Sequence, residues 1–261
     1  MEKHSTDQKE LVKKQFSQNA IEYVNSQSHA KGEDLDLLAE MIAPQSEWQA
    51  LDIATGGGHL TKFLSPLVKH VYTTDFTKKM LEEAKKHLQK SYSNISYVIA
   101  DAEELPFLDE QFDFVGCRIA AHHFPDKQAF LQQVSRVLKP SGVFLLIDNV
   151  VPNDVEVAMY VNEIERFRDK SHVACLSIDE WKGIAGESGL TIWKEEQRKK
   201  TFDFPIWVKR TTESEEQIKQ VEKFIQEGTE DQQQYINLIL EDHNIQSIEI
   251  DEWIAAFKRS T

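Results

Sequence analysis

Leu51-Asp52-Ile53-Ala54-Thr55-Gly56-Gly57-Gly58 is the stretch on which the fold turns. Residues 48–53 read as a buried strand and 58–67 as the helix after it. The chain holds 10 glycines, and three stand together at this junction. Glycine there lets backbone approach a ligand with no Cβ in the way. The helix start behind it offers unpaired N–H groups and a partial positive end. A Walker loop is excluded, because 56–62 does not supply Gly-x4-Gly-Lys-Ser/Thr. A dinucleotide fingerprint is incomplete: Gly56-x-Gly58-x-x-Thr61 lacks the third glycine. What remains is an acid on the strand followed by small residues at alternate positions, Asp52-x-Ala54-x-Gly56-x-Gly58. Such an acid suits a cationic ligand group better than a diphosphate.

Outward from that junction the chain alternates strand and helix, which predicts a mostly parallel sheet covered by helices. Strands are expected at 70–74, 95–100, 112–119 and 143–150, the last continuously apolar as a buried parallel strand should be. Helices are expected at 78–89, with Thr77 as N-cap, and at 127–138, stopped by Lys139-Pro140-Ser141-Gly142. Two helices lead the chain, at 10–24 and 33–43. Leu35, Leu37, Leu38 and Met41 form the apolar face of the second. Beyond residue 150 the spacing predicts helices at 155–168 and 178–188 and a strand at 190–198. A helical pair follows at 212–227 and 229–242, with Thr212…Glu215 and Thr229…Gln232 as capping boxes and Gly228 between them. A last strand is expected within 253–257.

Two further acids end the next two strands. Asp75 closes 70–74, where a carboxylate can accept from both hydroxyls of a ribose. Asp101 closes 95–100, where one can accept from an exocyclic amine. A single such Asp is more often a turn residue or helix cap. Three in register with a glycine run outline a nucleoside that bears a positive charge and no phosphate.

These residues resemble the class I S-adenosylmethionine-dependent methyltransferases, and among them the ubiquinone/menaquinone-biosynthesis C-methyltransferase-like group. The resemblance runs from about Phe16 to Leu190. It rests on the stretch quoted above, on Ala100-Asp101-Ala102-Glu103-Glu104-Leu105-Pro106-Phe107, on Phe112-Asp113-Phe114-Val115 and on Arg136-Val137-Leu138-Lys139-Pro140-Ser141-Gly142-Val143. It implies a Rossmann-like α/β three-layer sandwich with a mostly parallel seven-stranded sheet and a small helical cap. The implied organisation has N-terminal helices over the cofactor site (1–45), a core (46–200), a helical insert capping the acceptor (201–244) and a final core strand (245–261). The resemblance also implies S-adenosylmethionine as cofactor, with S-adenosylhomocysteine as product. Gly56 and Gly58, with Asp52, Ala54 and Thr55 beside them, would approach its methionine part. Asp75, followed by Phe76, would hold the ribose, and Asp101 the adenine amine. The N–H of Ala102 would meet a ring nitrogen, Arg118 would line the methionine end, and Tyr23 would cover the cofactor. The family usually has glycine where this chain has Ala54. If that position needs a positive φ, the methyl group is a strain.

The implied reaction is transfer of a methyl group to carbon or oxygen of a small-molecule acceptor. A sulfonium leaves as a neutral thioether, so no proton need be given to it. Holding nucleophile and methyl in line in a dry site supplies most of the catalysis. His123, of the His122-His123 pair, and His172 are the candidate bases. No Asp/Glu/Cys cluster at ligand spacing accompanies the pair, so no metal is expected. Phe202, Phe204, Ile206 and Trp207 either wall an acceptor pocket or form plain core, and Ile218, Val221 and Ile225 form a buried helix face. Two rivals stay open: an NAD(P)-dependent oxidoreductase, and a non-catalytic S-adenosylmethionine-binding protein.

Composition sets outer limits. A chain of 261 residues with 40% apolar and 28% charged residues can build a sizeable core. Its net charge of -14 repels a phosphate backbone, so no nucleic-acid partner is expected. No apolar run reaches the ~20 residues of a bilayer span, and the polar start MEKHSTDQKE has no signal-peptide core. Two cysteines exclude a disulfide framework. The expectation is a cytoplasmic protein without stable membrane insertion, with a homodimer allowed.

Overall fold

The computed structural model describes residues 8–17 and 33–260, so Tyr23 and the second half of the expected 10–24 helix lie outside the described residues. So do the side chains of Leu35 and Leu37. Residues 8–17 are helical and form α1. Glu33–Ile42 is α2, and its Leu38 and Met41 are buried. Strands β1 (Gln49–Ile53), β2 (His70–Asp75), β3 (Ile95–Ile99), β4 (Phe112–Arg118) and β5 (Leu138–Val150) alternate with helices α3 (His59–Leu64), α4 (Lys78–Leu88) and α5 (Lys127–Val137). Then come α6 (Val155–Arg168), α7 (Ile178–Glu187), β6 (Leu190–Asp203), α8 (Phe204–Val208), α9 (Glu215–Gln226), α10 (Glu230–Tyr235), β7 (Ile239–Glu241) and β8 (Asn244–Arg259).

The sheet order is β3-β2-β1-β4-β5-β8-β6, with β7 paired to β8. Strands β1 to β5 pair in parallel, while β8 is antiparallel to β5, β6 and β7. The order reverses between β1 and β4. That opens a crevice beyond the carboxyl ends of those two strands, where open α/β sheets bind ligands. Alternation along the strands loads both faces. Leu51, Ile53, Cys117, Phe144 and Leu146 pack on one side under α5 and α7. Ala50, Phe114, Leu145 and Ile147 pack on the other with Leu60 and Leu64 of α3.

The sheet has eight strands, one more than the seven expected, and the difference lies wholly after residue 190. The helix expected over 229–242 ends at Tyr235, and the chain turns through Asn237 (φ 44°) into β7. Strand β8 is 16 residues long, because Ile245, Ile248 and Ile250 extend its buried face over the insert. Strand β6 runs on to Asp203 beside it. At α9 the cap is Ser214, whose Oγ accepts from the Gln217 N–H, and not Thr212, whose Oγ donates to the Val208 carbonyl. Thr212 belongs to the tail of α8, one turn too early to reach α9. The Thr229–Gln232 capping box forms in both directions. Gly228 is required by contact: a Cβ there would stand 2.7 Å from the Tyr160 hydroxyl. The insert has its own core, in which Ile218, Val221 and Ile225 meet Phe204, Trp207 and the inner face of α6.

Candidate active site

The glycine turn is held by the two acids that flank it. The Asp52 carboxylate, 1% exposed, accepts from the Thr55 hydroxyl (2.6 Å), the Thr61 N–H (3.0 Å) and the Thr61 hydroxyl (2.6 Å). It thereby ties the turn to the start of α3. Asp75 accepts from the Gly56 N–H (3.1 Å) and from the Thr77 N–H (2.8 Å). The second bond replaces the expected side-chain cap, since the Thr77 hydroxyl makes no cap bond to α4. Burial pushes both carboxyls up to about 6, against the hydrogen bonds that favour the charged forms. Gly56 (φ 54°) and Gly58 (φ 81°) lie in the left-handed region, and a Cβ on Gly58 would come 2.8 Å from Leu88 Cδ1.

Ala54 also has a positive φ, 53°. An L-residue there carries about 1–2 kcal/mol of strain, while glycine adds about 0.4–1 kcal/mol of unfolded-state entropy. Ala54→Gly is therefore expected to stabilise the fold by about 0.5 kcal/mol. Thermal unfolding should show a midpoint rise of about 1–2 °C, and a fall would contradict the strain.

A cleft opens over this turn, lined by Asp52, Ala54, Thr55, Gly56, Asp75 and Phe76. Arg118, at the end of β4, closes one side, and Val12 and Phe16 of α1 form the cover. Gly58, Asp101 and Ala102 are not among the lining residues. Gly58 turns inward against α4. Asp101 is held by α1: Lys9 Nζ lies 2.6 Å from its Oδ2 and 2.5 Å from Glu103 Oε2. Lys13 of the same helix stands over the Phe76 ring at 4.6 Å. An ion pair between positions 9 and 101 leaves no trace in local sequence.

Ile119 and His123 line the cleft and also a second, larger cavity, and Phe16 borders both. Ile119 has φ 53°, a left-handed conformation costly for a β-branched residue and characteristic of functional sites. His123 Nδ1 lies 2.9 Å from the Ser171 carbonyl. A carbonyl only accepts, so Nδ1 carries the proton. Burial, reinforced by the neighbouring His122, pushes His123 down to about 4. The ring is therefore neutral near pH 7, with a lone pair on Nε2. His172 is buried, with Nε2 2.9 Å from Asn162 Oδ1, and is not among the residues lining either cavity.

His122 lines the second cavity, and its Nδ1 lies 2.6 Å from Asp148 Oδ1. Burial lowers its proton affinity, but the charge and hydrogen bond of Asp148 outweigh burial and raise it overall. Sequence reasoning missed Asp148 as the partner. The signal was present: it is the one acid in the apolar run Val143–Val150, and a buried charge there demands a partner. Phe202, Ile206 and Trp207 also line this cavity, while Phe204 is core.

A family model described as a methyltransferase domain matches residues 51–146. The chain is 36% identical over 207 residues to the uncharacterized methyltransferase YcgJ of Bacillus subtilis, covering 79% of this chain and 82% of that one. It is 36% identical over 118 residues to the ubiquinone/menaquinone biosynthesis C-methyltransferase UbiE of Shewanella frigidimarina, covering 43% and 47%. A solved Bacillus halodurans structure, described as a candidate methyltransferase, superposes with a TM-score of 0.85 at 32% identity. It covers 88% of this chain and 100% of that one.

Proposed function

The chain belongs to the S-adenosylmethionine-dependent methyltransferases, and on that premise we propose that it transfers the methyl group across the shared wall of the two cavities to a small-molecule acceptor. The observation that carries this is that wall itself: Phe16, Ile119 and His123 border both the cleft over the glycine turn and the larger cavity beyond it. The donor group fits the first. Its cradle is left-handed backbone with few side chains, and its acids are ready acceptors for hydroxyls and a cation.

In this reading Asp75 accepts from the ribose hydroxyls, with Phe76 beside it. Gly56, Thr55 and Ala54 let the methionine part approach the backbone, near Asp52 and Arg118. Asp101 and the N–H of Ala102 serve the adenine, which then shares Asp101 with Lys9. The bound sulfonium supplies an activated methyl. The protein holds the acceptor atom in line and excludes water. His123 Nε2 can take the proton of an acceptor hydroxyl or of a carbon made acidic by one, which leaves both O- and C-methylation within reach.

Binding of S-adenosylmethionine, followed by titration calorimetry between pH 7.5 and 5, tests the reading. The free protein holds a proton on Asp52 and Asp75 below about pH 6. A ligand whose amine and hydroxyls need those carboxylates must displace it, so affinity is full above about 6 and declines below. Each acid involved costs about tenfold per pH unit in that window. Absence of binding at millimolar ligand, or tighter binding at pH 5 than at 7.5, contradicts the assignment.

A further inference from the structure

The second cavity lies beyond the cleft over the glycine turn. Its lining intermixes apolar and cationic side chains. Phe202 and Ile206 provide apolar surface, backed by the buried Trp207. Arg168, Lys199, Lys200 and Arg210 gather around it, four cations on one cavity of a chain whose net charge is -14.

Two carboxylates also line the cavity, each with one oxygen engaged by the protein. Asp203 caps α8 by accepting from the Ile206 N–H at 3.0 Å, and Asp169 accepts from the N–H and hydroxyl of Ser171 at 2.8 and 2.5 Å. The cations are braced from behind. Arg168 holds Glu165 through Nε (3.0 Å) and Nη2 (2.6 Å) while its guanidinium stacks over Trp207 at 4.2 Å. Lys200 pairs with the buried Glu252, and Lys199 meets Asp251 at 3.3 Å and the Tyr235 carbonyl at 2.8 Å. An ammonium has three N–H bonds to give. Successive residues of a strand project to opposite faces: Lys199 is engaged on the face of Asp251 and Tyr235, while Lys200, on the face of Phe202, keeps N–H capacity beyond its pairing with Glu252. Arg210 lies 5.9 Å from the Phe202 ring, so a cation and a flat apolar surface occur side by side.

We propose that this cavity takes an organic anion: an apolar acceptor whose carboxylate or phosphate is held by Lys200 and Arg210, while its body lies against Phe202 and Ile206. The proposal rests on the methyltransferase reading above and names the acceptor class for the same site. The oxyanion anchors the far end, so the nucleophilic atom is directed to the shared wall at Ile119 and His123. A neutral acceptor would gain hydrogen bonds from the ammonium but not the stronger charge-assisted pairing.

Calorimetry with three probes of one shape decides it: 1-hydroxy-2-naphthoate, its methyl ester and 1-naphthyl phosphate. Each is titrated into the free protein and into protein saturated with S-adenosylhomocysteine. At least one of the two anions is expected to bind about tenfold or more tighter than the ester, and which one it is separates carboxylate from phosphate. Lys200→Gln and Arg210→Gln should each erase most of that preference. Because Lys200→Gln strips a buried carboxylate of a partner, Arg210→Gln guards against simple misfolding, with the thermal midpoint of both variants measured alongside. Equal or tighter binding of the ester overturns the proposal, as does binding of none of the three. So does a preference that survives in both folded variants. Failure of S-adenosylhomocysteine to bind overturns the cofactor reading instead, while the titrations of the free protein still judge the anion site.

Discussion

Asp75→Asn should weaken S-adenosylmethionine binding about 30- to 100-fold while the protein stays folded. The carboxylate lies at the end of β2 on the lining of the cleft, with one oxygen on the Gly56 N–H and the other on the Thr77 N–H. Each oxygen has a second lone pair to offer a ribose hydroxyl. Hydrogen bonds to a charged acceptor contribute about 1.5–3 kcal/mol apiece. Asparagine keeps the volume, removes the charge and turns one acceptor into a donor that faces an N–H. A net loss of about 2–2.8 kcal/mol corresponds to the stated range. Calorimetry on the variant checks it, and a dissociation constant within threefold of the wild type would remove Asp75 from the site.

The second large effect is on stability. Gly58→Ala should lower it by about 2–4 kcal/mol. Gly58 sits at φ 81°, where an L-residue loses about 1–2 kcal/mol. Its Cβ would stand 2.8 Å from Leu88 Cδ1 and 3.3 Å from Ala84 Cβ, both on α4. Leu88 is 1% exposed and has little room to retreat. Overpacking of this kind costs about 1–3 kcal/mol. For a chain of this size the thermal midpoint should fall by roughly 4–16 °C, at about 2–4 °C per kcal/mol. A midpoint within one degree of the wild type would mean that the turn tolerates a side chain there. The role of Gly58 is thus to pack the turn against α4, while Gly56 lies on the lining of the cleft.

Much of this site was legible before any coordinates. The run Asp52 to Gly58 announced a strand that breaks into a ligand-facing turn, because each small residue at that place has few other uses. Asp75 follows from its position at the end of the next strand. Local sequence also dictated the mid-chain alternation up to Val150, where strands buried on both faces read as apolar runs. The rest depended on distant partners. The ion pair of Lys9 with Asp101 and Glu103 crosses more than ninety positions and covers the very acid that the sequence offers to adenine. The length of β8 reflects the buried faces of Ile245, Ile248 and Ile250, whose partners lie in the insert. His122 and His123 are neighbours in the chain with opposite electrostatics. Asp148 raises one, and burial, reinforced by the first, depresses the other. Adjacent identical residues gave no means of dividing those roles.

The most direct measurement is a crystal structure of the protein grown with S-adenosylhomocysteine. The ribose hydroxyls should lie within hydrogen-bond distance of Asp75, the homocysteine chain should follow the backbone of 54–56, and the sulfur should face the shared wall at Ile119 and His123. Density that places the nucleoside elsewhere, or turns the sulfur away from the larger cavity, would contradict the account.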